Sequence, residues 1–372
     1  MTSVAFLIDQ LFSPAPGGMG TYVRQLVPAM TRADPSLDIT LFHARFEDAE
    51  PEEWTRDYRV EQINASIRRL YPSWAASRRP PLPPSLASQE IVHSPSPAAV
   101  PPTDPGQRLV VTIHDLAFLV QPQLFPRGWR LMYRAAMARA VRSADAIVTV
   151  SQHTAEDLSR RTRVDRRKVH VIPLAASLPP SDADADSVLS RLKVPQPYVL
   201  FVGTLEPRKN LVRLVRAYRR MAARGAPHAL VLAGPMGWHP QPLLRAISDE
   251  GPGDVVLTGA VGQGDLDALY RGAAAFVYPS LYEGFGLPVL EAMSRGIPCV
   301  VSSSSSLPEV AGEAALPVDP RSVVGLAEAI DRVTSERELA GRLREAGLAR
   351  AARFSWDDTA RRTLEVYKSV LS

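Results

Sequence analysis

The chain has 372 residues, of which 45% are hydrophobic and 22% charged, with a formal net charge of +4. That length exceeds one ordinary core and suits two domains of about 150 residues each. No apolar run approaches the ~20 residues that cross a bilayer. The single cysteine, Cys299, lies in an apolar stretch and excludes an intrachain disulfide. A buried structural thiol in a reducing cytoplasm is the expectation it supports.

The chain opens on a Val/Ile-bearing run at 4–8, which reads as a first strand rather than a secretory signal. Similar runs follow at 39–42, 91–93, 109–113, 146–150 and 169–172. They have the composition of strands buried on both faces of a parallel sheet. Helical spacing occupies 21–33, 129–143 and 154–162 between them. A second series has strands at 198–202, 229–233, 255–257, 275–278 and 298–301, with helices near 211–224, 266–273, 289–295 and 323–333. Two consecutive strand–helix series imply an α/β protein of two doubly wound, Rossmann-like domains. We place them at 1–178 and 190–354, joined by a polar, proline-bearing linker at 179–189. Residues 355–372 read as a final helix capped by Ser355. The proline-rich passage 79–105 reads as extended surface loops on either side of the strand at 91–93.

Charge is unevenly spread. Between Arg108 and His170 there are 12 basic residues and 5 acidic ones. Solvated helix faces explain this blandly; a surface for anionic lipid or an anionic acceptor explains it more sharply. The basic residues are not interleaved with aromatics, so nucleic acid is not an expected partner.

In open α/β sheets ligands sit beyond the carboxyl ends of the strands, and polar residues collect there. After the strand at 275–278 come Glu283, then Gly284-Phe285-Gly286, Leu287 and Pro288, and Glu291 about one turn into the next helix. The glycines let a ligand approach the backbone, and the amides of Phe285, Gly286 and Leu287 form a candidate anion site. Carboxylates beside such a site suit the hydroxyls of sugars flanking a diphosphate. After the strand at 198–202, Gly203 and Thr204 lead to Arg208 and Lys209 at the start of a helix. Cations disfavour that position unless an anion binds there. In the first domain Gly17 and Gly18 precede a helix, without the spacing of a dinucleotide fingerprint, and His114 ends the strand at 109–113. No His/Cys/Asp/Glu cluster has metal-ligand spacing, so no metal is expected.

Together these segments resemble retaining glycosyltransferases of family 4, bacterial mannosyltransferases among them. The likeness runs through Gly17-Gly18, residues 112–115, 145–151 and 203–210, the Glu283/Glu291 pair and Phe354-Ser355-Trp356. It implies a GT-B architecture, with two Rossmann-like domains facing across a cleft and the last helix returning to the first domain. It also implies roles: Glu283 for donor-sugar hydroxyls, Glu291 for the nucleotide ribose, and Arg208 and Lys209 for the diphosphate. Gly18 would border the leaving phosphate and His114 the reaction centre, while the loop 259–262, with Val261, would hold the base. One departure is Pro173-Leu174-Ala175-Ala176-Ser177, where many members carry Pro-x-Gly-Val-Asp. The resulting expectation is metal-independent hexose transfer from a nucleotide sugar, GDP-mannose favoured, to a carbohydrate or lipid-linked acceptor. No cofactor is expected, and the enzyme would be cytoplasmic, with peripheral contact at the inner, anionic face of the membrane. UDP-glucose or UDP-GlcNAc transfer, a nucleotide-sugar 2-epimerase and a two-domain sugar-binding protein are the alternatives.

Overall fold

A computed structural model describes residues 2–13, 16–47, 52–249 and 251–372. The chain divides into two compact units, Met1–Leu174 with Ser355–Ser372, and Ala175–Phe354.

The first unit runs β1 (Ser3–Leu7), α1 (Gly17–Ala33), β2 (Asp38–Ala44), β3 (Arg59–Ile63), α2 (Ile67–Ser77), β4 (Ile91–Ser94), β5 (Arg108–Ile113), α3 (Ala117–Val120), α4 (Arg127–Ser143), β6 (Ala146–Thr149), α5 (Gln152–Arg161) and β7 (Val169–Val171). Its seven strands lie in the order β3-β2-β1-β4-β5-β6-β7, all neighbours parallel. Leu7, Phe42, Val92, Val111 and Ile147 from five strands share one core with Trp74 of α2 and Met137 of α4. Val/Ile-rich strands are apolar on both sides because helices cover both.

The second unit runs α6 (Ala185–Arg191), β8 (Tyr198–Val202), α7 (Leu211–Ala222), β9 (Ala229–Ala233), α8 (Gln241–Ser248), β10 (Val255–Gly259), α9 (Gln263–Arg271), β11 (Ala275–Tyr278), α10 (Leu287–Met293), β12 (Cys299–Ser302), α11 (Leu307–Ala311), β13 (Ala315–Val318), α12 (Val323–Ser335) and α13 (Arg337–Ala351). Its six parallel strands follow β10-β9-β8-β11-β12-β13. The order reverses between β8 and β11, which is where a doubly wound sheet opens a ligand crevice. At Gly234, just after β9, a Cβ would lie 2.2 Å from the Gly203 carbonyl oxygen, so the two loops meet backbone to backbone.

The chain closes with α14 (Trp356–Leu371), which packs on α1 within the first unit. Ser355 caps it, its hydroxyl accepting from the Asp358 amide at 3.1 Å. A buried polar chain anchors its far end. His93 of β4 meets the Tyr367 hydroxyl at 2.5 Å and Thr112 of β5 at 2.8 Å, and Thr112 meets Tyr22 of α1 at 2.9 Å.

Several local expectations change. Gly17 and Gly18 do not precede the first helix; they form its first turn, Gly17 at φ +55. Half of the expected linker is helical, because Asp184 caps α6 by accepting from the Ser187 amide. Strands β3 and β13 are additional. Both are edge strands, where a polar Arg59-Val60-Glu61 or a Pro317 is tolerated. Helices α8 and α13 are likewise additional. Cys299 is fully buried and its thiol lies 3.2 Å from the Ile297 carbonyl oxygen.

His93 is fully buried and burial, then the neighbouring His114, push its pKa down to about 3 from 6.5. The folded ring is neutral while the unfolded one binds a proton below 6.5. Stability is therefore lost as pH falls through that window. Between pH 6.5 and 4 the wild type should lose about 3 kcal/mol more than His93→Gln. Urea unfolding at a series of pH values measures this; parallel losses would show that the folded ring accepts a proton.

Candidate functional site

The chemistry-bearing residues of the second unit converge at the reversal point of its sheet. Beyond β8 the backbone passes Gly203 and Thr204, both half-buried, and tightens into a single turn at Pro207–Lys209. Asn210 follows in the left-handed region at φ 63. Its amide nitrogen donates to the Pro279 carbonyl at 3.0 Å and the Pro320 carbonyl at 2.6 Å. The Leu281 amide donates to the Arg208 carbonyl at 2.9 Å. These bonds fasten the loop after β8 to the loop after β11.

Four charges meet there, almost without solvent. Arg208 donates from Nη1 to Glu283 at 2.7 Å and to the Tyr282 carbonyl at 2.7 Å. Its Nε and Nη2 reach Glu206 at 3.0 and 2.7 Å. Lys209 Nζ donates to Glu283 at 2.7 Å and to the Tyr278 hydroxyl at 2.7 Å. Side-chain exposure is only 5% for Glu206, 8% for Glu283, 12% for Arg208 and 8% for Lys209. Burial alone would raise the Glu283 pKa, but Arg208 and then Lys209 outweigh it and hold the carboxyl at about 2. Burial raises Glu206, which Arg208 only partly offsets, and lowers Lys209 against the pull of Glu283. Glu283 is thus a firmly ionised carboxylate that can still accept further hydroxyl donors.

The next loop is shaped by backbone demands. Gly286 sits at φ +113 immediately before α10, and a Cβ there would fall 2.6 Å from Leu307 Cδ2. Phe285 and Leu287 on either side are buried. Ser305 and Ser306 brace this loop: the Glu283 amide donates to Ser305, and the Ser306 hydroxyl donates to the carbonyls of Glu283 and Phe285. Glu291, in α10, is buried and accepts from the Ser177 and Tyr270 hydroxyls, each at 3.1 Å. Burial pushes its carboxyl upward. Val261 is half-buried in the loop between β10 and α9.

In the first unit Gly17 and Gly18 are exposed. His114, just beyond β5, packs edge-on against Tyr22 of α1 with ring centroids 4.9 Å apart. Burial lowers its pKa to about 4, against a raising hydrogen bond to the Pro95 carbonyl. Its Nε2 is buried without a protein partner.

The structure therefore brings Arg208, Lys209 and Glu283 into direct contact and places Glu291 in the adjoining helix. One expectation needs revision. Arg208 and Lys209 are not unpaired cations awaiting an anion; carboxylates of their own unit already pair them. Sequence reasoning missed Glu206, Tyr278, Ser305 and Ser306. Position could have found Glu206, which precedes Pro207 in the same loop. The serine run 302–306 carried no such signal.

The profile of the Glycosyltransferase Family 4 matches residues 16–178, and that of Glycosyl transferases group 1 matches residues 183–350. The O-antigen chain mannosyltransferase B of Escherichia coli is 35% identical over 271 residues, covering 70% of each chain. The chain belongs to glycosyltransferase family 4. Among solved structures, the sucrose-phosphate synthase of Thermosynechococcus elongatus superposes with a TM-score of 0.77 at 22% identity over 99% of both chains. Anabaena HepE in complex with UDP-glucose superposes with a TM-score of 0.76 at 19% identity, over 99% of this chain and 100% of that one. These likenesses show the GT-B fold, and this glycosyltransferase shares it in both of its parallel-sheet units.

Removing one carboxylate should strand a buried guanidinium. Glu206→Ala should destabilise the second unit by about 3 kcal/mol. The double variant Glu206→Ala/Arg208→Ala should cost less than the two single changes summed. Denaturant unfolding of the four proteins gives the coupling; a value near zero would remove Glu206 from the cluster.

Proposed function

We propose that this glycosyltransferase moves mannose from GDP-mannose to a carbohydrate, glycoside or lipid-linked acceptor, retaining the anomeric configuration and needing no metal. The observation that carries the donor half is the buried Arg208–Lys209–Glu283 cluster beyond β8 and β11. The mannosyl reading rests on the 35% identical relative, which is named a mannosyltransferase.

In this reading Arg208 and Lys209 stabilise the charge that develops on the leaving diphosphate. Arg208 brings planar, directional donors and Lys209 a compact charge. The backbone around Phe285, Gly286 and Leu287 adds amide donors. Glu283, held ionised, accepts hydroxyls of the donor sugar, and Glu291 accepts ribose hydroxyls in the manner in which it already accepts Ser177 and Tyr270. Gly203, Thr204 and Val261 border the nucleotide. The acceptor oxygen bonds to the anomeric carbon as the carbon–oxygen bond to the diphosphate breaks. The electron pair leaves with the diphosphate and the acceptor proton passes to its oxygen. Glu283 forms no covalent intermediate, because two cations already claim its charge. His114 of the first unit is a neutral imidazole, as its lowered pKa requires.

A UDP-sugar donor is the second reading, favoured by the HepE complex with UDP-glucose among the structural neighbours. Thermal shifts with GDP, UDP and ADP separate the two; a larger shift with UDP than with GDP would replace the first by the second.

Arg208→Ala should lower kcat/KM for GDP-mannose by about 100-fold or more and weaken GDP binding. Turnover should be unchanged in excess chelator. Unaltered rate and affinity in the variant would overturn the diphosphate assignment, and loss of turnover on chelation would overturn the metal-free one.

A further inference from the structure

We propose that the outward face of α4 in the first unit docks on an anionic lipid bilayer. The proposal goes beyond the donor chemistry and does not depend on it. Among the described residues no helix is long and apolar enough to cross a membrane, so the contact is peripheral.

Helix α4 carries five arginines and no acidic residue. Its buried side, Ala136, Met137 and Ala140, packs into the first unit. Two arginines serve the fold: Arg139 donates to the Ala75 and Ala76 carbonyls, and Arg130 to the Pro122 carbonyl at 3.1 Å. Arg127 and Arg134 are exposed and enter no ion pair among the described residues. With Leu131 they follow i, i+4, i+7 spacing, a single stripe on the helix.

Leu131 is 75% exposed and Trp129 is 53% exposed. They are the two most exposed large apolar side chains among the described residues; Leu131 lies on the arginine stripe, and Trp129, two positions away, lies on the other side of the helix. Leu131 also joins Phe118 and Pro122 with Arg127, Arg130 and Arg134 around an open groove of about 300 Å³. A hydrated polyanion would satisfy the arginines and leave Leu131 in water. A neutral apolar partner would leave the arginines uncompensated. A leaflet of anionic phospholipid offers phosphates to the guanidinium groups of Arg127 and Arg134 and an acyl boundary to Leu131 between them.

The test is co-sedimentation of the full chain with vesicles of phosphatidylglycerol and phosphatidylcholine, compared with phosphatidylcholine alone. Binding should require phosphatidylglycerol and weaken with salt. Each cation contributes roughly a fivefold factor in partitioning, so Arg127→Gln/Arg134→Gln should bind about 25-fold more weakly. Leu131→Asp should also weaken binding, and Leu131→Trp should add a blue shift of tryptophan emission on vesicle addition that the wild type lacks. These residues are exposed, and an unchanged circular dichroism spectrum would certify the folded state. Equal binding to phosphatidylcholine alone, or undiminished binding by the arginine variant, would overturn the proposal. So would displacement by millimolar inorganic phosphate at constant ionic strength, which would signify a discrete phosphate pocket instead.

Discussion

Two carboxylates and two cations, buried together and touching, are the constraint around which the second unit is arranged. Isolated burial of any one of them costs several kcal/mol, and only close, hydrogen-bonded pairing offsets that cost. Glu283 cannot be held ionised without Arg208 and Lys209, and Arg208 cannot be buried without Glu206 and Glu283. The pairs span 75 residues of sequence, so the cluster also decides which loops meet. It fixes the ends of β8 and β11, the two strands between which the sheet order reverses. Hydrogen bonds from Asn210 to Pro279 and Pro320 secure the same junction with neutral groups.

The first unit solves the corresponding problem differently. Its buried polar groups near β4 and β5 are neutral: His93, Tyr367, Thr112 and Tyr22 share hydrogen bonds without a formal charge. Burial keeps both His93 and His114 deprotonated at neutral pH. Elsewhere in this unit Asp9 is buried beside the end of β2. Burial raises its pKa to about 6, opposed by donors from Tyr71 and the Ala44 amide.

Much of this was legible in the sequence, and the limits have physical causes. Strands covered on both faces announce themselves as apolar runs, so β8, β9 and β11 were visible to within a residue. Edge strands β7 and β10 kept valine pairs and were visible too. The edge strands β3 and β13 were not, because partial exposure allows polar residues or a proline. Arg208, Lys209, Glu283 and Glu291 stood out because they follow strand ends beside glycines. Glu206 did not, since its role exists only through contact with Arg208. Tyr278 read as part of a strand, and nothing local reveals that its hydroxyl receives Lys209. Gly17 and Gly18 were placed before the helix, because no capping residue marks that it has already begun.

The return of α14 has a consequence for biosynthesis. The second unit is one uninterrupted segment, Ala175–Phe354, and has every residue it needs before α14 is made. The first unit needs Trp356 against Tyr22 and Tyr367 against His93, and these arrive only with the first and last turns of α14. Domains ordinarily complete their folds in the order of synthesis, beginning at the N-terminus. Here the unit that starts earlier along the chain is completed after the one that follows it. Its β4–β5 region must wait, with His93 bonded to Thr112 but lacking Tyr367, until α14 is made.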